Sequence, residues 1–263
     1  MKIGFIGTGN MSSAILSGIL SKGEVKPEDI CGSAKSLLSR NKASEKFGIK
    51  MTDDNKEVAL HSDIIFLGIK PQFFEEVILE IKDVSDNKII VSMAPGRTHK
   101  WLEECFGKAA KVVRIMPNTP AFVGEGMTAV SPNDKINDEE LAKILKLLSN
   151  FGKCDVIPEK LMETAATLSG SSPAYVYMFI EAMADAAVLG GIPRDKAYKF
   201  AAQAVLGSAK MVLETGQHPG ELKDNVCSPG GSTIAAVRVL EERGFRSAII
   251  EAMIESEKVA KKL

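Results

Sequence analysis

The first 158 residues alternate short apolar runs with helical runs, and this alternation constrains the fold more than any other feature. The runs IIFLGI (64–69) and IIVSM (89–93) are apolar almost throughout, as in strands that helices cover on both faces. Strands and helices in alternation indicate a parallel sheet. We expect an α/β domain with a mostly parallel, doubly wound sheet of strands 3–7, 29–33, 63–69, 88–93, 111–116, 126–130 and 154–158. Its helices include 11–22, 36–47, 73–81 and 138–150.

Strand signals end after residue 158, and the rest of the chain predicts helices only. They begin at Pro173, at Pro193, near Pro219 and at the final FRSAIIEAMIESEKVAKKL, and two of them end at glycines, as helices often do. We therefore predict an α/β domain over residues 1–160 and an all-α domain over 161–263. The helices are rich in Ala, Met and Val, and a large apolar surface usually marks an interface. A homodimer is the expected assembly.

Composition excludes several classes of protein. The chain has 263 residues, of which 45% are hydrophobic and 25% charged, as in soluble globular proteins. A net charge of −1 gives no reason to expect nucleic acid or a membrane as partner. The apolar runs are too short to span a bilayer, and Met1 leads directly into a strand without a signal region. Four cysteines without CxxC spacing indicate reduced thiols and a cytoplasmic location.

The segment GFIGTGNMSSA (4–14) places two glycines between the first strand and the first helix. Gly7 permits a tight turn, Gly9 lets the backbone approach a pyrophosphate, and the helix N-terminus attracts anions. Ser12 stands where the usual motif has its third glycine. An ordinary tight turn would also use these glycines, but the position in the chain favours a dinucleotide, with these contacts: Gly7, Thr8, Gly9, Asn10 and Met11.

The end of the second strand, CGSAKS, bears on the choice of cofactor. NAD-binding folds usually place an Asp or Glu there, whereas this segment has Ser33 and Lys35 and no acid. Hydroxyls and a lysine suit a 2′-phosphate. We therefore expect NADPH, with NADH possible; Lys35 as a solvated charge at a helix start remains an alternative.

Three further strand ends can reach the same ligand, because ligands lie beyond the carboxyl ends of parallel strands. Pro and Gly also make ordinary strand-to-helix turns, so that alternative stays open. The candidate cofactor contacts at these ends are Gly68, Ile69, Lys70, Pro71, Met93, Ala94, Pro95 and Asn118.

The segment NVCSPGGST (225–233) opens a late helix with only small residues after Pro229. Such a start presents free backbone N–H groups to a small anion such as a carboxylate, here at Gly230, Gly231, Ser232 and Thr233. A turn capped by Ser232 is the structural alternative. Cys227 could be a nucleophile, but no histidine is near it in sequence, and most free cysteines act as small hydrophobes.

These motifs carry a resemblance. With GFIGTGNMSSA, HSDIIFLGIKP (61–71), RIMPNTPA (114–121), LSGSSPAY (168–175) and HPGELKDNVCSPGGSTIAAVRVLE (218–241), the chain resembles pyrroline-5-carboxylate reductase over essentially its whole length. The resemblance implies NAD(P)H-dependent reduction of 1-pyrroline-5-carboxylate to L-proline, the last step of proline biosynthesis. It also implies a Rossmann domain followed by a helical dimerisation domain, often built into larger rings.

The resemblance further implies roles for single residues. It puts Asn55, Lys70 and the 93–95 turn on the cofactor, and Asn225, Ser232 and Thr233 on the substrate. Two departures are Ser172, where the family often reads GSGPAY, and the lack of the acid that some relatives carry near Gly216.

The substrate that the resemblance implies is a cyclic imine that is easily protonated, so we expect little acid–base machinery. His61, His99 and His218 are isolated in sequence and we expect them to be structural; no metal site is expected. Thr233 is the candidate catalytic residue, through a hydrogen bond to the ring nitrogen, with the nicotinamide near Pro71, Ala94 and Asn118.

Other functions stay open at this point. They are a reductase of a related cyclic imine, a β-hydroxyacid dehydrogenase-like enzyme and a non-catalytic NADP sensor. The second of these usually presents a lysine on a helix, and AATLSGSSPAYVYMF has none.

Overall fold

A computed structural model describes residues 1–261. Within them, eight strands form one sheet: β1 (Ile3–Ile6), β2 (Ile30–Ser33), β3 (Lys50–Thr52), β4 (Ile64–Leu67), β5 (Ile89–Ser92), β6 (Lys111–Met116), β7 (Gly126–Pro132) and β8 (Gly152–Val156). Their spatial order is β3-β2-β1-β4-β5-β6-β7-β8. The first six pair in parallel, β7 runs antiparallel to β6, and β8 runs parallel to β7. The predicted mostly parallel, doubly wound sheet is confirmed, and its order reverses between β1 and β4.

The helices of this α/β part alternate with the strands. They are α1 (Asn10–Ser21), α2 (Leu37–Phe47), α3 (Asn55–His61), α4 (Phe74–Ile81), α5 (His99–Phe106) and α6 (Asp138–Leu148). The four helices named from sequence lie within two residues of these bounds. The strand β3 and the helices α3 and α5 were not among the predicted elements. β3 has three residues and none of them is buried, so it lacks the apolar run that marks the other strands. In α5 only Leu102 is buried.

Both faces of the sheet are covered, as the apolar strands predicted. In β4, Ile64 and Phe66 pack into the core on one face of the sheet, whereas Ile65 and Leu67 pack into the core on the other. Phe66 also stacks on Phe5 of β1, with ring centroids 4.8 Å apart. Because β1, β2, β4 and β5 pair in parallel, their carboxyl ends meet at one edge of the sheet.

The rest of the chain is helical: α7 (Met162–Ala165), a π-helical turn (Ala166–Ser171), α8 (Ser172–Leu189), α9 (Arg194–Thr215), α10 (Pro219–Asn225), α11 (Ser232–Glu242) and α12 (Phe245–Ala260). Among residues 159–261 the structure has no strand, which confirms the all-α second part. No helix in the described part of the chain has the length and apolarity needed to cross a membrane.

The chain divides into two compact units. One contains Met1–Gly170 and the chain from Glu257, and the other contains Ser171–Ser256. Side-chain bonds hold residues 159–170 in the first unit: Arg114 of β6 binds Glu163 at 3.0 Å, and Thr164 donates to Glu257 at 2.6 Å. The functional domain boundary at residues 160 and 161 stays a prediction.

The unit Ser171–Ser256 exposes many large apolar side chains. Tyr177, Met178, Phe200 and Leu213 have 61%, 68%, 69% and 76% of their surface exposed. A soluble domain rarely exposes many such residues to solvent.

Candidate functional site

A tight turn at Gly7 joins β1 to α1. Gly7 has φ +89°, in the region that favours glycine, and its N–H donates to the Ser33 carbonyl at 3.0 Å. A Cβ at this position would lie 2.6 Å from the Gly68 oxygen and 2.7 Å from Ile69 Cγ2. Glycine is therefore required here, and the turn brings the ends of β1, β2 and β4 together.

The start of α1 offers free donors. Gly9 is its N-cap, no side chain caps the helix, and its first turn holds no acid. A Cβ on Gly9 would meet no atom of the described chain closer than 4.0 Å, so this side of the turn is open. The Thr8 hydroxyl is buried without a partner among the described residues. A pyrophosphate fits this arrangement of N–H groups and helix dipole.

Ser12 stands at the position of the third glycine of the motif. Its side chain fits there because the neighbouring residue, Gly68, has no side chain. Ser12 is 1% exposed, and a Cβ on Gly68 would lie 1.9 Å from its hydroxyl oxygen. The third glycine usually permits close helix–strand packing. Here the missing side chain of Gly68 supplies that space, so Gly68 has a packing role in addition to its predicted cofactor contact.

We expect Gly68→Ala to weaken NADPH binding about tenfold, because overpacking at this turn displaces α1. Ser12→Gly in the same chain should recover most of the loss. Some loss should remain, since the added Cβ would still lie 2.9 Å from the Gly7 carbonyl oxygen. Fluorescence titration with NADPH of the wild type, the two single variants and the double variant measures the effect. Wild-type affinity in Gly68→Ala would contradict the packing argument.

The ends of β2 and β3 form a hydrogen-bonded chain. The Ser33 hydroxyl donates to Asn55 Oδ1 at 2.7 Å, and Asn55 Nδ2 donates to Glu80 Oε2 at 2.6 Å. The structure thus brings together Ser33 and Asn55, two predicted cofactor contacts 22 residues apart. It also brings a carboxylate from α4 that the sequence at β2 does not contain.

Lys35 has an acidic partner too. Its Nζ lies 3.0 Å from Glu76 Oε1, with both side chains mostly exposed, and 5.2 Å from the centroid of the Phe73 ring. Arg40, which sequence reasoning missed, donates to the carbonyls of Ala34 and Lys35 at 2.8 and 3.0 Å. It fixes the loop after β2. No sequence signal distinguishes Arg40, Glu76 or Glu80 from ordinary helix-surface charges.

The candidate cofactor residues that follow β4 and β5 differ in how exposed they are to solvent. Lys70 is exposed before the turn Pro71–Phe73, and among residues 1–261 no carboxylate side chain pairs with it. Met93 is half-buried, Ala94 is buried, and Pro95 is exposed.

Asn118 is 8% exposed. It donates to the Ser169 carbonyl at 2.9 Å and accepts from the Met127 N–H at 2.8 Å. Asn118 thus has a structural role, and its contact with the cofactor stays a prediction.

The start of α11 is not capped by a hydroxyl. Gly231 is the N-cap and no side chain caps the helix, so the alternative of a turn capped by Ser232 is wrong. Gly230 has φ +71°, and Gly231 N–H donates to the Ser228 carbonyl at 3.0 Å. The first bond of the helix runs from Ala235 to the Gly231 carbonyl at 3.4 Å. The N–H groups of residues 232–234 therefore precede the hydrogen-bond ladder.

Ser232 and Thr233 are exposed beside these N–H groups, and within the described chain no hydrogen bond engages either hydroxyl. Asn225, also exposed, ends α10. Backbone donors and hydroxyls around a helix start suit a small carboxylate.

Two histidines and two cysteines of the chain have structural surroundings. His218 caps α10 through Nδ1, which accepts from the Gly220 N–H at 3.0 Å, and His99 Nε2 lies 2.9 Å from the Ser131 carbonyl. Burial raises the pKa of the Cys31 and Cys154 thiols, as in unreactive cysteines. Among residues 1–261 no three His, Cys, Asp or Glu side chains are grouped to hold a metal ion.

Known proteins resemble the chain along its whole length. Residues 2–96 match the family model for NADP oxidoreductase, coenzyme F420-dependent, and residues 159–263 match that for pyrroline-5-carboxylate reductase dimerisation. The pyrroline-5-carboxylate reductase of Escherichia coli (strain K12) is 52% identical over 263 residues, which are 100% of this chain and 98% of the relative.

Two solved structures agree with this. A pyrroline-5-carboxylate reductase from Coxiella burnetii has a TM-score of 0.93 at 35% identity, over 99% of this chain and 97% of that one. Pyrroline carboxylate reductase from Plasmodium falciparum with NADP bound has a TM-score of 0.89 at 33% identity, over 100% and 97%. The expected Rossmann domain followed by a dimerisation domain is confirmed. With this identity along its full length, the chain belongs to the pyrroline-5-carboxylate reductase family.

Proposed function

We propose that the protein reduces 1-pyrroline-5-carboxylate to L-proline with NADPH, and accepts NADH as an alternative cofactor. Membership of the reductase family supports the reaction. The observation that carries the proposal is the uncapped start of α11, where free N–H groups stand beside the Thr233 hydroxyl. This is a place for a small acid, and a protein that only senses NADP would not need it.

The Rossmann unit would hold the cofactor through its own open donors. The start of α1 would bind the pyrophosphate, and Ser33, Lys35 and Asn55 would meet the adenosine ribose at the ends of β2 and β3. Lys70 and the 93–95 turn would border the rest of the cofactor. When bound, the nicotinamide supplies the hydride that the imine carbon accepts.

The start of α11 would bind and orient the imine. The backbone N–H groups of Gly230, Ser232 and Thr233 would donate to its carboxylate, which accepts only, because the Gly231 N–H is engaged by the Ser228 carbonyl. The protonated ring nitrogen would donate to Thr233 Oγ1, which keeps that proton on the nitrogen while the ring carbon becomes saturated. Orientation of two reactants can account for several kcal/mol of a barrier, so no further acid or base is required of this chain.

One spectrophotometric assay separates the candidate functions. We expect loss of NADPH absorbance that depends on pyrroline-5-carboxylate. In the opposite direction, with β-hydroxyacids and NADP⁺, we expect no gain of NADPH absorbance. A piperideine carboxylate measures tolerance for related cyclic imines. A sensor would bind NADPH without oxidising it. Failure of the purified protein to consume NADPH with pyrroline-5-carboxylate would contradict the proposal.

The exposed apolar side chains of Ser171–Ser256, together with the dimerisation match, support a homodimer that can assemble into a larger ring. Light scattering on a sizing column measures the size of the assembly, and a monomer would contradict it. Free cysteines at all four positions fit a reducing compartment, which supports a cytoplasmic enzyme.

A further inference from the structure

We propose that Glu80, aided by Glu76, limits the preference of this enzyme for NADPH and so lets NADH bind. The proposal rests on the use of a nicotinamide cofactor argued above. It goes further by assigning selectivity to two acids on α4, distant in sequence from the phosphate-binding turn.

Glu80 acts on the polar groups at the end of β2 through one intermediate. Its Oε2 lies 2.6 Å from Asn55 Nδ2, and Asn55 Oδ1 lies 2.7 Å from the Ser33 hydroxyl. Ser33 is buried, and Glu80 is partly buried. A charge in such surroundings is less screened than one at the surface, so the carboxylate acts on whatever meets Ser33 and Asn55.

Two cations of the loop and helix after β2, Lys35 and Arg40, are already paired. Lys35 Nζ lies 3.0 Å from Glu76, and an Arg40 nitrogen lies 3.4 Å from Asp53. Arg40 also uses its guanidinium on the carbonyls of the loop. These two cations thus face two acidic partners, and among residues 1–261 no cation forms an ion pair with the carboxylate of Glu80, which is bonded to Asn55.

A 2′-phosphate and a ribose hydroxyl differ in charge and in the hydrogen bonds that they can form at this site. The phosphate carries a charge of about −1.5 to −2 at neutral pH and only accepts hydrogen bonds. One Asn55 N–H is engaged by Glu80 and the Ser33 proton by Asn55. A ribose hydroxyl can donate as well as accept, so the acid favours it. Dinucleotide folds usually obtain this effect from an acid at the end of β2, whereas here it comes from α4.

Equilibrium binding of the two cofactors without imine tests the proposal. Glu80→Gln keeps the shape of the side chain, and its amide oxygen can still accept from Asn55. We expect the Kd for NADPH to fall about three- to tenfold, as for loss of one nearby charge, and the Kd for NADH to change less than about twofold. The shift should shrink at high salt.

Two further variants serve as a second test and as a control. Glu76→Gln leaves Lys35 unpaired and should move selectivity the same way by a smaller factor, because Glu76 is exposed. It also covers the case in which Glu80→Gln does not fold. Glu75→Gln removes the same charge from an exposed position on α4 and should leave the ratio of the two Kd values unchanged.

Equal changes in both Kd values, or weaker NADPH binding in Glu80→Gln, would overturn the inference even if the wild type reduces pyrroline-5-carboxylate. A shifted ratio in a protein that does not reduce the imine would support the inference and refute the proposed reaction. A wild type that binds neither cofactor would overturn both.

Discussion

Replacing Thr233 with alanine should lower kcat/KM for pyrroline-5-carboxylate about 100-fold, in the range for loss of one hydrogen bond made to the reacting centre. Thr233 is exposed at the second position of α11, and no described residue bonds its hydroxyl. The free energy of unfolding should therefore change by less than about 0.5 kcal/mol. Steady-state NADPH oxidation and urea denaturation measure the two effects.

The conservative variant separates the hydroxyl from the shape of the side chain. Thr233→Ser keeps the oxygen and should retain activity within about fivefold of wild type. The Kd for NADPH, which the other unit would bind, should not move in either variant. Undiminished imine reduction in Thr233→Ala would remove this residue from the site.

The second large effect is on stability. Arg114 lies in β6 and is 1% exposed, and its two terminal nitrogens bind Glu159 at 2.9 Å and Glu163 at 3.0 Å. Arg114→Met keeps most of the stem but leaves both partly buried carboxylates without their cation. Removal of one partner from a buried ion pair costs about 3 kcal/mol, so Tm should fall by about 6–12 °C.

A surface pair of the same chemistry is the control. Arg238 and Glu242 lie one helical turn apart on α11, with 71% and 58% of their side chains exposed. Arg238→Met should lower the free energy of unfolding by less than about 1 kcal/mol. Thermal melts at one protein concentration compare the two variants. Equal Tm shifts would show that the Arg114 cluster does not stabilise the sheet.

The cofactor turn could be predicted because its physics is local. The tight turn at Gly7 follows from the order of strand, turn and helix, and the φ angle of Gly7 agrees with it. The acids near Ser33 could not be predicted. Glu80 reaches Asn55 across 25 residues, and only the packing of α4 against the sheet brings them together. The lack of an acid in CGSAKS therefore said little about the charge that surrounds this strand end.

The start of α11 shows a second limit of sequence reasoning. Serine and threonine after a glycine pair predict side-chain caps, because both hydroxyls stand near the helix start in sequence. The cap position falls on Gly231, which leaves both hydroxyls beyond it in the first turn. If the helix began one residue later, Ser232 would be at the cap position. Sequence patterns do not predict helix ends to within one residue.

The contact between Ser12 and Gly68 makes the order of mutations matter. A chain that first replaces Gly68 with a larger residue must pass through a damaged turn, since the Ser12 hydroxyl occupies the space that a Cβ would need. A chain that first replaces Ser12 with glycine removes the closest contact and can then accept a small side chain at position 68 at a lower cost, although the Gly7 carbonyl oxygen stays near. The two sites are therefore linked in any directed-evolution experiment on cofactor use, and libraries should randomise them as a pair.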